Sequence, residues 1–200
     1  MHWLIKHMPD EDLKSVTSEF LLENCELAYK AWQETAWGRE IPEDVFFEYV
    51  LPFANLNEKR ESWRKDFYYR FSDIMKNSAS AYQATARLNN EMFEMVGVSY
   101  STKRPKADQA PYESMDAGLA SCTGLSILQI DACRSIGVPA RFVGTPMWYN
   151  NSGNHSWVEV WDNGWHVTGA AEPTGDELNN FWFSGLASRA VEGHPNYGRY

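Results

Sequence analysis

The stretch Ser121-Cys122-Thr123-Gly124 opens an apolar run that reaches Ile136, where Gly137-Val138-Pro139 stops it. A small polar cap, a run rich in Leu and Ile, and a Gly-Pro stop specify a buried helix. His155-Ser-Trp-Val-Glu-Val-Trp161 then alternates as a strand does, and Asp162-Asn163-Gly164 is a hairpin signal leading into a second strand, Trp165 to Ala170. Ala140 to Gly144 reads as a third. This half of the chain must therefore lay one helix against a small antiparallel sheet. It also sets a thiol at a helix mouth and an imidazole at a strand head.

The residues before it read as helices. Segment 11–35 carries Leu13, Val16, Phe20, Leu21 and Ala28 at helical spacing, with Asp10 or Asp12 as its cap. A short helix follows Pro42 and ends before Pro52. Trp63 to Met75 and Ser78 to Val96 predict two more, the last closed by Gly97. Loop 101–117 has two prolines and little periodicity, as an approach loop to a site often does. Helices first and strands second make an α+β fold. The expected organisation is a helical lead-in over 1–97, packed onto a core over 98–200.

At 200 residues and 44% hydrophobic the chain can bury a sizeable core. A net charge of −9 argues against a nucleic-acid partner, and the basic run Lys103-Arg104-Pro105-Lys106 is too short to reverse that. One helix would hold Cys122 and Cys133 roughly 16 Å apart, too far for a disulfide. Cys25 and Cys133 keep apolar company and read as core residues. One thiol with one imidazole leaves a zinc shell half empty, and no glycine loop is built for phosphate, so no metal or other cofactor is expected. No stretch is long and apolar enough to span a membrane. A secreted or periplasmic setting is the expectation, and the abrupt stop at Tyr200 suggests flanking domains in a longer chain.

Cys122 carries the chemistry. The helix dipole at its position favours a thiolate, and its neighbours are small and polar, unlike those of a core cysteine. His155 can take the thiol proton and later return it to a leaving amine. A two-residue loop at Asn163-Gly164 would pair Asp162 with Trp165 and set His155 opposite Glu172, their Cβ atoms about 4.5–5.5 Å apart. Glu172 could then orient the imidazole. A one-residue bulge would bring Ala171 there instead. Asp162 belongs to the turn and Glu159 lies two pleats away, so neither is preferred. The backbone N–H of Cys122 is the natural oxyanion donor, and Gln109 or Tyr112 on the approach loop could supply a second. Trp157, with Trp161 and Trp165, could stack on substrate, although packing is the safer reading.

Residues 116–174 resemble the transglutaminase-like superfamily of papain-type cysteine enzymes. The matching pieces are Cys122-Thr-Gly-Leu-Ser, Arg134 with Gly137-Val-Pro-Ala-Arg141, and His155-Ser-Trp-Val-Glu-Val-Trp161. The resemblance implies a papain-like core, Cys122 as nucleophile, His155 as base, and an acid in an Asp-Pro-Thr run. Here that run is Glu172-Pro173-Thr174. An Asp counted from Trp165 would fall on Gly169, which has no side chain, so a short insertion must shift the acid to Glu172 or the third member is missing. The helical lead-in is similar to that of some bacterial members.

The expected activity is acyl transfer or hydrolysis on a peptide or carboxamide through Cys122, His155 and Glu172. A cysteine peptidase or amidase is expected before a cross-linking enzyme. The partner is a peptide, protein or glycopeptide substrate. De-N-glycosylation of glycopeptides is a second enzyme reading, and a non-catalytic peptide- or glycan-binding module on a degenerate fold is the alternative.

Overall fold

Thr17, Ser80 and Ser121 each turn a side-chain oxygen onto the first turn of a helix, and those three helices carry the architecture. The computed structural model describes residues 1–200. In chain order it forms α1 (His2–His7), α2 (Asp10–Ser15), α3 (Ser18–Glu34), a 3-10 turn at Gly38–Glu40, α4 (Glu43–Tyr49), α5 (Trp63–Arg70), α6 (Ser72–Lys76) and α7 (Ala81–Val96). There follow β1 (Ser99–Tyr100), α8 (Pro111–Ala117), β2 (Leu119–Ala120), α9 (Cys122–Ser135), β3 (Ala140–Thr145), β4 (His155–Trp161), β5 (Trp165–Thr168) and α10 (Ser184–Ala187). The fold is α+β, as the order of patterns implied.

Three local expectations need correction. The helix predicted over 11–35 is two, because Thr17 is extended (ψ 161°) and caps α3 through the Phe20 N–H. The helix predicted from Trp63 to Met75 breaks at Phe71. The approach loop contains α8, which starts on Pro111 and ends at Gly118 in the left-handed region (φ 64°). Pro at a helix start and Gly past its end mark this helix in the sequence.

The central element is α9, in which every residue from Gly124 to Ser135 is buried. It packs on β3 and β4 on one side and on α5, α7 and α8 on others. An all-round burial of this kind leaves no wet stripe, and while the Ser126 hydroxyl and the Gln129 amide find no protein partner, Arg134 does. Arg134 donates to the carbonyls of Tyr49, Ala54 and Ala140. Arg64, from α5, donates to the Arg134 carbonyl and to Val50 and Pro52. Burial pulls the Arg64 guanidinium down to about 9, so it stays charged at neutral pH. These two cations stitch the α4–α5 connection to the central helix. One apolar core runs through both, from Phe46 and Phe67 to Leu128, Val158 and Val160.

The main sheet is antiparallel, ordered β3-β4-β5, which leaves one side of β3 as an open edge. β1 and β2 form a separate parallel pair. In β3 and β4 the register sets Thr145 against His155 and Gly144 against Ser156.

Candidate active site

Cys122 is the first residue of α9 and is half-buried. Its cap, Ser121, accepts the Gly124 N–H at 3.1 Å and donates to the Ala107 carbonyl, which moors the approach loop to the helix mouth. The other first-turn N–H groups, on Cys122 and Thr123, have no partner within the chain and carry the positive end of the helix dipole.

His155 heads β4 and is 8% exposed. The residues that follow each member of the pair are bonded to one another: Thr123 Oγ1 and Ser156 Oγ lie 3.0 Å apart. That bond fixes the helix mouth against the strand head. Both Cys122 and His155 line one cleft of about 550 Å³, with Thr123, Ser156, Arg141 and Tyr200 also in its wall.

The imidazole sits in an aromatic cage. Phe183 meets it edge-on at 4.6 Å between ring centroids, and Trp182 at 5.1 Å, with Trp148 and Trp157 beyond. Removal from water disfavours the charged ring and pushes its pKa down to about 4. The His155 ring is thus uncharged at neutral pH.

Glu172 approaches the ring, with its Oε1 3.7 Å from His155 Nε2, a contact just beyond hydrogen-bond range. Its other oxygen, Oε2, accepts the Trp182 indole N–H at 2.9 Å. Burial raises the Glu172 carboxyl, and the indole bond pulls the other way.

The route by which Glu172 arrives differs from the expected one. The observed pairs are Trp161 with Trp165 and Val158 with Thr168, one residue off the two-residue-loop register. Asn163 adopts φ 54° and Gly164 φ 152° in a wider turn closed by the Asp162 N–H to the Gly164 carbonyl. Continued in that register, β5 would bring Ala171 opposite His155. Instead it stops at Thr168, and the chain folds into a turn closed by the Glu172 N–H on the Gly169 carbonyl at 3.1 Å. Ala171 holds a left-handed φ of 60° in that turn, a conformation that costs an Ala roughly 1 kcal/mol. Buried Asn89, from α7, secures it: its Nδ2 donates to Thr168 Oγ1 and the Gly169 carbonyl, and its Oδ1 accepts the Ala171 N–H.

The rival acids are engaged elsewhere. Asp162 accepts the Tyr82 N–H at the start of α7, and Glu159 pairs with Arg141, whose guanidinium lies over Trp165. Gln109, Tyr112 and Trp157, expected beside the substrate, are not among the residues that line the cleft. Gln109 is 1% exposed and spends its amide N–H groups on the Glu113 and Leu119 carbonyls. Tyr112 packs on Phe67 and faces Asp66. Trp157 is buried in a satellite apolar cluster with Val143, Trp148, Phe183 and Ala187. Trp182 and Asn89 went unnoticed in the sequence because each acts through contacts made by distant segments.

A profile of the transglutaminase-like superfamily matches residues 70–170. Among solved structures, a candidate cysteine protease from Cytophaga hutchinsonii aligns with a TM-score of 0.51 at 16% identity, over 69% of this chain and 45% of that one. The periplasmic domain of TgpA from Pseudomonas aeruginosa, determined bound to ethylmercury, aligns with a TM-score of 0.43 at 16% identity, over 69% of this chain and 49% of that one. The chain spans less than half the length of either. No curated protein matches by sequence.

Proposed function

Because the chain belongs to the transglutaminase-like superfamily, we propose that it is a thiol enzyme that cleaves or transfers the acyl group of a peptide or carboxamide. Cys122 is the nucleophile, His155 the general base and acid, and Glu172 the group that orients His155. The observation that carries this reading is a single cleft lined by a helix-mouth thiol and a caged imidazole, with a carboxylate 3.7 Å behind the ring.

His155 Nε2 faces Glu172, so Nδ1 is the nitrogen left for the thiol. Nδ1 takes the Cys122 proton as Sγ bonds to the carbonyl carbon. The carbonyl electron pair moves onto oxygen, where the free N–H groups of Cys122 and Thr123 can receive it. Collapse breaks the C–N bond, and the imidazolium returns its proton to the departing amine. A thioester remains. Water, deprotonated by the same ring, then releases the acid and the free thiol. An amine in place of water would give transfer, and we favour hydrolysis because the site is an open cleft that admits water.

The test is the rate of Cys122 alkylation by iodoacetamide against pH, in wild type, His155→Ala and Glu172→Gln. Alkylation at neutral pH that is faster than that of an ordinary exposed thiol, slowed in His155→Ala and altered in Glu172→Gln, is expected. The same dependence on pH in all three would leave a binding module on an enzyme fold. A labelled amine with mass spectrometry separates hydrolysis from transfer.

A further inference from the structure

The open edge of β3 borders the cleft, and one residue of the chain is already paired with it. The Gly144 N–H donates to the Tyr200 carbonyl at 2.9 Å, and the Tyr200 N–H donates to the Gly144 carbonyl at 3.0 Å. Two reciprocal bonds between one pair of residues are the closely spaced rung of an antiparallel ladder. Tyr200 itself is 59% exposed, so the contact is made by main chain, with little help from side-chain burial.

The rung lies beside the proposed chemistry. Gly144 is across the sheet from Ser156, the residue after His155, and Tyr200 shares the cleft wall with Cys122 and His155. By the two-residue alternation of a strand, Phe142 turns its N–H and carbonyl to the same open edge. Pro146 has no N–H and ends the ladder on the other side. Gly144 also keeps the wall thin, since a Cβ there would stand 3.3 Å from the His155 carbonyl and 3.4 Å from Ser156 Oγ.

We propose that the β3 edge from Phe142 to Gly144 is the docking rail for an extended peptide substrate, and that Tyr200 occupies it in this structure as a built-in competitor. The peptide adds as a further strand, held by main-chain bonds with little regard to sequence, and thereby lays its backbone along the Cys122 cleft. The inference rests on the acyl-transfer reading for the identity of the substrate. The occupation of the rail by residue 200 stands on the hydrogen bonds themselves.

The experiment compares the full chain with a chain ending at Gly198. Amide exchange at Gly144 is read by NMR, and Cys122 labelling is read with a short peptidyl vinyl sulfone and with its analogue methylated at every backbone nitrogen. In labelling, Sγ adds to the vinyl carbon β to the sulfone, the C=C π pair moves to the α carbon, and the thiol proton ends on that carbon next to the sulfone sulfur. Removal of residues 199–200 is expected to speed Gly144 exchange about tenfold. It should speed labelling by the peptide probe about tenfold as well, with no gain for the methylated analogue. Equal labelling by the two probes, or unprotected Gly144 exchange in the full chain, overturns the proposal. If Cys122 alkylates as an ordinary thiol throughout, the acyl-transfer reading fails instead. Protection of the Gly144 amide by an unreactive amide peptide of the same sequence, added to the shortened chain, then still decides whether the rail binds.

Discussion

The Glu172 carboxylate occupies the space into which a side chain at Gly169 would project: a Cβ on Gly169 would lie 2.0 Å from Glu172 Oε2 and 2.7 Å from its Cδ. Gly169 is where an acid counted from Trp165 would stand, and the Glu172 carboxylate fills the room beside that side-chain-free position. Gly169→Ala therefore acts on the site more than on the fold. The closest clashing atoms are the carboxyl end of a long side chain, with Glu172 Cβ a tight 3.1 Å away, so the side chain must swing off Trp182 and stability should fall by about 1 kcal/mol. The iodoacetamide profile of Cys122 should nonetheless match that of Glu172→Gln. A Gly169→Ala chain with a wild-type profile would show that the contact with His155 is idle.

Trp182 holds the other side of the same carboxylate. It is 64% exposed, so Trp182→Phe removes little buried surface. What it removes is the indole N–H bond, one of the causes that keep the Glu172 carboxyl from rising further. The Glu172 titration, followed by carboxyl-carbon NMR, should move up in Trp182→Phe, and Cys122 reactivity should fall at pH 6 more than at pH 8. An unmoved titration would mean that the indole bond is absent in solution.

The sequence exposed the large elements and concealed the joints. The end of α7 was legible from Gly97, and α9 from Ser121 and Gly137, because caps and stops are local chemistry, whereas the cap on Ser80 lies two residues inside the expected start at Ser78. Cys122 and His155 stood out for the same reason, each at the head of an element whose pattern is unambiguous. The path that brings Glu172 beside His155 is not local. The Asn163-Gly164 signal correctly announces a hairpin, but the wider turn shifts the register by one, and a turn after Thr168 then brings Glu172 back. That compensation depends on Asn89, far away in sequence, and no local rule contains it. The aromatic-rich 181–183 stretch gave no period to read, which is why the cage around His155 went unseen.

Burial of neutral His155 should make stability depend on pH. Its folded pKa of about 4 lies below the ordinary 6.5, so between those values the unfolded chain binds more protons. The contribution is complete above pH 6.5 and is lost as pH falls toward 4. Linkage puts the loss between pH 7 and pH 5 at about 2 kcal/mol. Glu172 has the opposite sign, since a raised carboxyl favours the folded state at low pH. Urea unfolding of wild type against His155→Phe isolates the histidine part. The wild-type chain should lose the extra stability on acidification and the variant should not. Parallel slopes would refute the burial argument.

The bond between Thr123 and Ser156 is expected to serve geometry more than stability. Each hydroxyl is the other's side-chain partner, so a Thr123→Val and Ser156→Ala cycle should give a coupling of about 1 kcal/mol in urea unfolding. Reactivity should fall more steeply than stability. Either single substitution frees the helix mouth from the strand head, and a small displacement of the thiol from the imidazole weakens proton transfer sharply. Cys133 supplies the internal control, because burial pushes its thiol up to about 12 and it can be alkylated only after the core opens. Slower Cys122 labelling in both single variants, with Cys133 still silent, would establish that the two hydroxyls hold the reacting groups in register. Unchanged Cys122 labelling would reduce the bond to an ordinary packing contact.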